Sequence, residues 1–311
     1  MILSPEVLSI LILDVIFLFF SLIALILSIK IFLNWDINST SKTQYKLEKQ
    51  SFLTATIIKY IFAIKLPLFL FFIFTLDKIS SVLTGAMCAA GVVDATQYGT
   101  YLFILKILNI YIFGFWLLIH HLDIKDEHLS LTKAKFGFFI FAFFIFVSEI
   151  ILELTMFLSI DIDKMVSCCG TLYSNSATSY ISNIFLIDTP ILLTLFYGNF
   201  IVIVISYFMK KKYIFTLANF FFLIISIISI ISFFGTYIYE LPTHHCPFCF
   251  LQKDYYYVGY FIYTSLFLGT FNGLATGFIN KFNISMIFNI IFTLLISAYP
   301  IIFYIKNGVW L

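Results

Sequence analysis

Residues 244 to 260, HHCPFCFLQKDYYYVGY, set two histidines, a CxxC pair and a cluster of tyrosines side by side. Thiolates attack disulfides and bind soft or borderline metals, and imidazoles join them as ligands. His244, His245, Cys246 and Cys249 are therefore candidates for thiol exchange, for metal ligation or for a structural clasp. Pro247 follows Cys246 directly, and proline favours the first turn of a helix, where its missing N–H costs nothing. The spacing predicts Cys246 at a helix N-terminus, where the positive end of the helix dipole enriches the thiolate. A protonated His245 would act in the same direction.

Three more cysteines complete the set of five. Cys168 and Cys169 are adjacent, and neighbouring Cα atoms about 3.8 Å apart fall below the usual disulfide range of about 4.4 to 6.8 Å. They are expected to engage separate partners or to ligate a metal, with Gly170 allowing a sharp turn. Cys88, between small residues in LTGAMCAAGVVDATQYG, is a candidate partner for one of them.

These residues support three functions. In the first, a membrane thiol/disulfide oxidoreductase, Cys246 attacks, Cys249 resolves and Cys168 or Cys169 carries the disulfide to a periplasmic thiol protein. An aromatic pocket under YYYVGY would receive a quinone as electron acceptor. This logic resembles that of the quinone-linked disulfide-bond formation and vitamin K epoxide reductase proteins, in which a CxxC lies at a helix end on the oxidising side. The likeness is confined to the motif and its placement, because those proteins are four-helix bundles. In the second function, His244, His245, Cys246 and Cys249 hold copper or zinc, with Cys168 or Cys169 as a further ligand and a metal-carrier protein as partner. In the third, two disulfides staple the outer loops of a transporter or assembly subunit, each contributing about 2 to 4 kcal/mol. HCxxC is not the CxxCH of covalent haem attachment, and no GxxxxGK[ST] motif is present.

The elements that must position these groups are membrane spans. The chain of 311 residues is 62% hydrophobic and 11% charged, with a mean hydropathy of +1.05, far from the balance of a soluble domain. A hydrocarbon layer about 30 Å thick needs about 20 apolar residues of helix. Eight such runs occur, near residues 8–32, 54–76, 100–120, 135–158, 184–208, 213–237, 257–280 and 284–305. They are long and continuous, unlike the alternating strands of a β-barrel. The fold class expected is an all-α polytopic helix bundle with about eight transmembrane helices. The first run lacks the basic flank and cleavage site of a secretory signal, so it is expected to be retained as a span.

Lysines orient the bundle, since cytoplasmic loops carry the excess of positive charge. With both termini outside, the inner side holds Lys30, Lys42, Lys46, Lys49, Lys125, Lys133, Lys135, Lys210, Lys211, Lys212 and Lys281, against Lys78, Lys164, Lys253 and Lys306 outside. Residues 34–53 become a cytoplasmic loop, and 77–99, 159–183 and 238–256 become outer loops that hold all five cysteines. An oxidising compartment suits them, which points to the periplasmic face of a bacterial inner membrane. Loops of this length are too short for a thioredoxin domain. The net charge of +2 gives no reason to expect a nucleic-acid partner.

Ionisable residues inside apolar runs are expensive and usually functional. Asp14, Lys106, Glu149, Glu153 and Asp188 crowd toward the cysteine side. Glu149 and Glu153, four residues apart, share a helix face and would line a polar cavity with Lys106 as counter-ion. Lys65 lies near mid-span with no partner evident in the sequence, whereas Lys59 is expected to reach back toward the inner surface. Gly269 to Gly277, GTFNGLATG, repeats the small-xxx-small pattern that lets helices approach closely, with Asn272 expected to hydrogen-bond across the contact. His120, His121 and His128 are expected on the inner surface.

Overall fold

A computed structural model describes residues 4–36, 39, 41–86, 88–161, 166 and 187–311. Cys168 and Cys169, and most of the expected outer loop 159–183, lie outside the described residues. Among those described, regular structure is entirely helical. Seven helices are long and apolar enough to cross a membrane: α1 Pro5–Asn34, α2 Lys42–Ser80, α4 Gly99–Lys125, α5 Thr132–Ser159, α6 Thr189–Phe208, α7 Lys212–Tyr239 and α9 Phe282–Asn307. A short α3, Ala89–Asp94, precedes α4, and α8, Val258–Ala275, precedes α9. With 18 residues, α8 is about 27 Å long, and its Asn, Gly, Ser, Thr and Tyr residues make it less apolar than the others. The chain is a multi-pass membrane protein, and the large exposed side chains of its helices, such as Val15, Ile26, Phe144 and Leu294, suit lipid.

The chain divides into two compact units. Residues 1–84 and 92–166 form the first, and residues 85–91 and 167–311 the second. In the first, α1 buries Val7, Ile10, Asp14, Phe17, Ser21, Ala24, Ser28 and Ile31, a stripe repeating at three and four residues. The helix is apolar all round, so hydrophobicity cannot choose this face. Small and polar residues choose it, because they allow close packing and need partners that lipid does not offer. The aromatic centre of the unit is Phe62, stacked on Phe113 at 4.3 Å and set edge-on to Trp116 at 5.5 Å.

The residues 34–53 expected as a loop are largely helix. Ser41 caps α2 by accepting a hydrogen bond from the Gln44 N–H at 3.2 Å, and KTQYKLEKQ continues with good helix formers. The stripe of Gln44, Leu47 and Ser51 is buried while Lys42, Lys46 and Lys49 remain outside it.

In the second unit, α8 packs between α7 and α9 through its glycines. A Cβ at Gly269 would come within 2.2 Å of Asn289 Oδ1, and one at Gly273 within 2.1 Å of Asn219 Cγ. The close approach lets Asn289 Nδ2 donate to Asn219 Oδ1 at 2.7 Å, and Ser285 Oγ donate to the Gly269 carbonyl at 2.7 Å. Asn272, expected to bond across this contact, instead donates to Leu268 O of its own helix at 2.8 Å. Asparagines on the neighbouring helices, Asn219 and Asn289, hydrogen-bond to each other at this contact.

Gly273→Ala should lower stability by about 1 to 3 kcal/mol through overpacking. Gly277→Ala, whose Cβ meets nothing nearer than 3.5 Å, and Gly198→Ala, with nothing within 4 Å, should leave it unchanged or slightly raised. Thermal unfolding in detergent compares the three.

Candidate functional site: a thiol cluster and a buried ion network

Two polar constellations stand out, one in each unit. In the second unit Cys88, Cys246 and Cys249 come together, their sulfurs all within 4.8 Å of one another. Cys88 Sγ and Cys246 Sγ are 3.5 Å apart, a contact well beyond the roughly 2.05 Å of a disulfide bond. The three side chains are 0%, 1% and 7% exposed.

The local backbone differs from the expectation that Cys246 opens a long helix. Cys246 lies outside regular structure, a 3-10 turn spans Cys249–Leu251, a second spans Lys253–Tyr255, and α8 starts only at Val258. Tyr256 and Tyr257 both adopt left-handed backbone angles, φ +53° and +56°, so no continuous helix can run from the CxxC into α8. The dipole argument for Cys246 therefore falls. Its sulfur instead accepts the Phe248 N–H at 3.4 Å.

Tyr239, at the end of α7, holds this loop. Its hydroxyl donates to the Cys246 carbonyl and accepts the Phe250 N–H at 3.2 Å. Tyr263 of α8 donates to Pro247 O at 2.8 Å, and the rings of Phe250 and Tyr263 lie 5.4 Å apart. Tyr255 stands edge-on to Tyr239 at 4.9 Å. Burial first, then Cys249, Asp254 and Cys246, push its phenol above the ordinary value, which keeps it neutral at physiological pH.

The two histidines of the motif do not join the sulfurs among the described residues. Residues Ile230–Phe234 of α7 form a π-turn, which disrupts the regular i to i−4 ladder, and His245 Nδ1 lies 3.0 Å from the Ile231 carbonyl. A carbonyl only accepts, so that nitrogen carries its hydrogen. His244 packs edge-on against Tyr239 at 4.3 Å, and its Nε2 is buried without a hydrogen-bond partner among the described residues. Of the expected set His244, His245, Cys246 and Cys249, the structure brings the two cysteines together with Cys88, a neighbour that sequence distance hides, and places neither histidine in that cluster.

In the first unit the intramembrane charges gather into one network. Lys106 Nζ of α4 lies 2.8 Å from Glu149 Oε1 and 2.6 Å from Glu153 Oε2 of α5. Asn109 donates to Glu149 Oε2. Lys65 of α2, which sequence reasoning left without a partner, lies 2.6 Å from Asp14 Oδ1 of α1 and 3.3 Å from Glu149 Oε1. Their separation along the chain concealed this pairing. A cavity of about 10 Å³ borders Lys65, Lys106, Asn109, Glu149 and Glu153. Asp188, the remaining carboxylate of the expected set, precedes α6 in the second unit.

A second polar cluster joins the ends of α4 and α5. Asp123 accepts from Thr132 Oγ1 at 2.8 Å and from Lys135 Nζ, and the Trp116 indole N–H donates to Lys135 O at 3.1 Å. His120, expected at the surface, is buried and stacked on Trp116 at 5.1 Å. His121 and His128 are exposed as expected.

Fold and sites together define a multi-pass helical membrane protein with a buried thiol cluster and a buried ion network. Neither the family models, nor the curated proteins, nor the solved structures compared with the chain match it.

Removing one partner of a buried ion pair costs about 3 to 5 kcal/mol, whereas exposed pairs contribute about 0 to 1 kcal/mol. Lys106→Met should therefore destabilise the protein strongly. Lys306→Met, which breaks a largely exposed pair with Glu240 at 3.0 Å, should scarcely alter the unfolding temperature. Tyr239→Phe removes the two hydrogen bonds its hydroxyl makes to the CxxC loop, and alkylation of Cys246 and Cys249 by a maleimide in isolated membranes should become faster than in the parent.

Proposed function

We propose that the protein is a membrane metal-binding protein that holds copper or zinc through the thiolates of Cys88, Cys246 and Cys249. The observation that carries this reading is the convergence of three buried sulfurs. A metal with M–S bonds of about 2.3 Å places its sulfurs about 3.8 to 4.0 Å apart, within the span of this cluster. Three thiolates alone suit trigonal Cu(I), and zinc would take a fourth ligand, for which Cys168 and Cys169 are the candidates. Burial favours ligation over exchange, because reactive cysteines sit in partly exposed, electropositive surroundings. A bound metal would also protect thiols in an oxidising compartment.

In this proposal α8 is an eighth span, both termini face outward, and the cluster lies on the periplasmic side of a bacterial inner membrane. The lysine distribution supports that orientation. The function is metal handling: receipt, sensing or passage of the ion, with a periplasmic carrier as the candidate partner.

The 3.5 Å contact between Cys88 and Cys246 favours thiol/disulfide oxidoreduction as the second reading. Two of the three thiols would then be oxidised to a disulfide, releasing two electrons and two protons to a quinone from the bilayer, and the third thiol would attack that disulfide in turn.

Full-length protein purified from cells supplied with Zn(II) or copper should carry about one metal ion per chain by elemental analysis. Cys88→Ser, Cys246→Ser and Cys249→Ser should each lose it, and chelation should expose the thiols to maleimide. Metal content unchanged in all three variants, or metal-independent protein with a disulfide that quinone forms and reductant removes, would reject metal binding; the latter would support oxidoreduction.

A further inference from the structure

The ion network of the first unit contains an odd charge. Asp14 enters from α1, Lys65 from α2, Lys106 from α4, and Glu149 and Glu153 from α5. Fully ionised, three carboxylates and two ammonium groups leave one uncompensated negative charge. All five side chains are buried, and a buried charge without a counter-charge takes up a proton or a cation instead of persisting.

Hydrogen bonding distinguishes the carboxyls. Glu149 accepts from Lys106 on one oxygen and from Asn109 on the other, with Lys65 3.3 Å away, so it is the best-supported anion. Among the described residues Glu153 meets Lys106 through Oε2, and its Oε1 is buried with no hydrogen-bond partner, on a side chain 0% exposed. Asn109 Oδ1 is also buried and without a donor among the described residues. Both residues border the same small cavity, whose lining does not include Asp14. A hydrogen on Glu153 Oε1 would therefore remove the excess charge and place a donor at the cavity that Asn109 also lines. Asp14 Oδ2 also lacks a hydrogen-bond partner among the described residues and is the competing position.

We propose that this cluster is a proton-binding site, with the exchangeable proton held on Glu153 Oε1. The site adds proton uptake and release, within the first unit, to a protein whose thiol cluster belongs to the second. The assignment is independent of what the cysteines bind.

Infrared spectroscopy of the full chain in lipid nanodiscs at neutral pH tests it. A protonated carboxyl gives a C=O band separate from the carboxylate bands, and an exchangeable one shifts in D2O. The parent should show one such band. Glu153→Gln should abolish it while keeping the parental unfolding temperature within a few degrees, because a carboxamide keeps the acceptor toward Lys106 and, like the protonated acid, carries no charge. Asp14→Asn should retain the band. Loss of the band in Asp14→Asn but not in Glu153→Gln, or the absence of any band in the parent, would overturn the assignment. So would a Glu153→Gln protein that fails to fold, because that result would show that a carboxylate is required. The same spectra in sodium and in choline buffers separate a proton from a metal cation: a band that sodium removes would assign the site to the cation and reject the proton.

Discussion

A polar group inside an apolar helix has to find its partner within the protein, because lipid offers none. Most of this structure follows from that constraint. Apolar surface is so abundant that it cannot decide which face of a helix turns inward. The few ions, amides and hydroxyls decide instead. On α1 the buried stripe runs through Asp14, Ser21 and Ser28, and Asp14 reaches Lys65. In the second unit Asn219, Ser285 and Asn289 play the corresponding part at neutral charge.

The two units meet the constraint by different chemistry. In the first, charge is matched almost completely, and the single excess carboxyl distinguishes a site from a structural clasp. In the second, close helix approach at Gly269 and Gly273 brings amides together, and side-chain hydrogen bonds hold the CxxC loop. Tyr239 and Tyr263 satisfy carbonyls of Cys246 and Pro247, and His245 engages a carbonyl in the π-turn. Histidine and tyrosine in HHCPFCFLQKDYYYVGY thus shape the loop, and the sulfurs of that loop meet a third from Cys88.

The site was only partly legible in the sequence. Glu149 and Glu153 lie four residues apart, and helical geometry alone puts them on one face. Lys106 could be named as their counter-ion because charges in apolar runs are rare. Lys65 could not be paired, because its partners lie on α1 and α5, and sequence separation carries no information about helix order. Cys246 was misplaced for a local reason: proline permits a helix start but does not impose one, and the left-handed Tyr256 and Tyr257 interrupt the path to α8. His120 was misassigned because a charged neighbourhood in sequence does not reveal stacking on Trp116.

Composition and run length by themselves determined that this chain is a helical multi-pass membrane protein, since a bilayer admits few ways to satisfy a long apolar backbone. They also marked the residues whose burial would be costly. Only tertiary structure decided which of those residues meet. Three thiols from two distant segments, and five charges from four helices, converge because helix packing brings together positions that no sequence period relates.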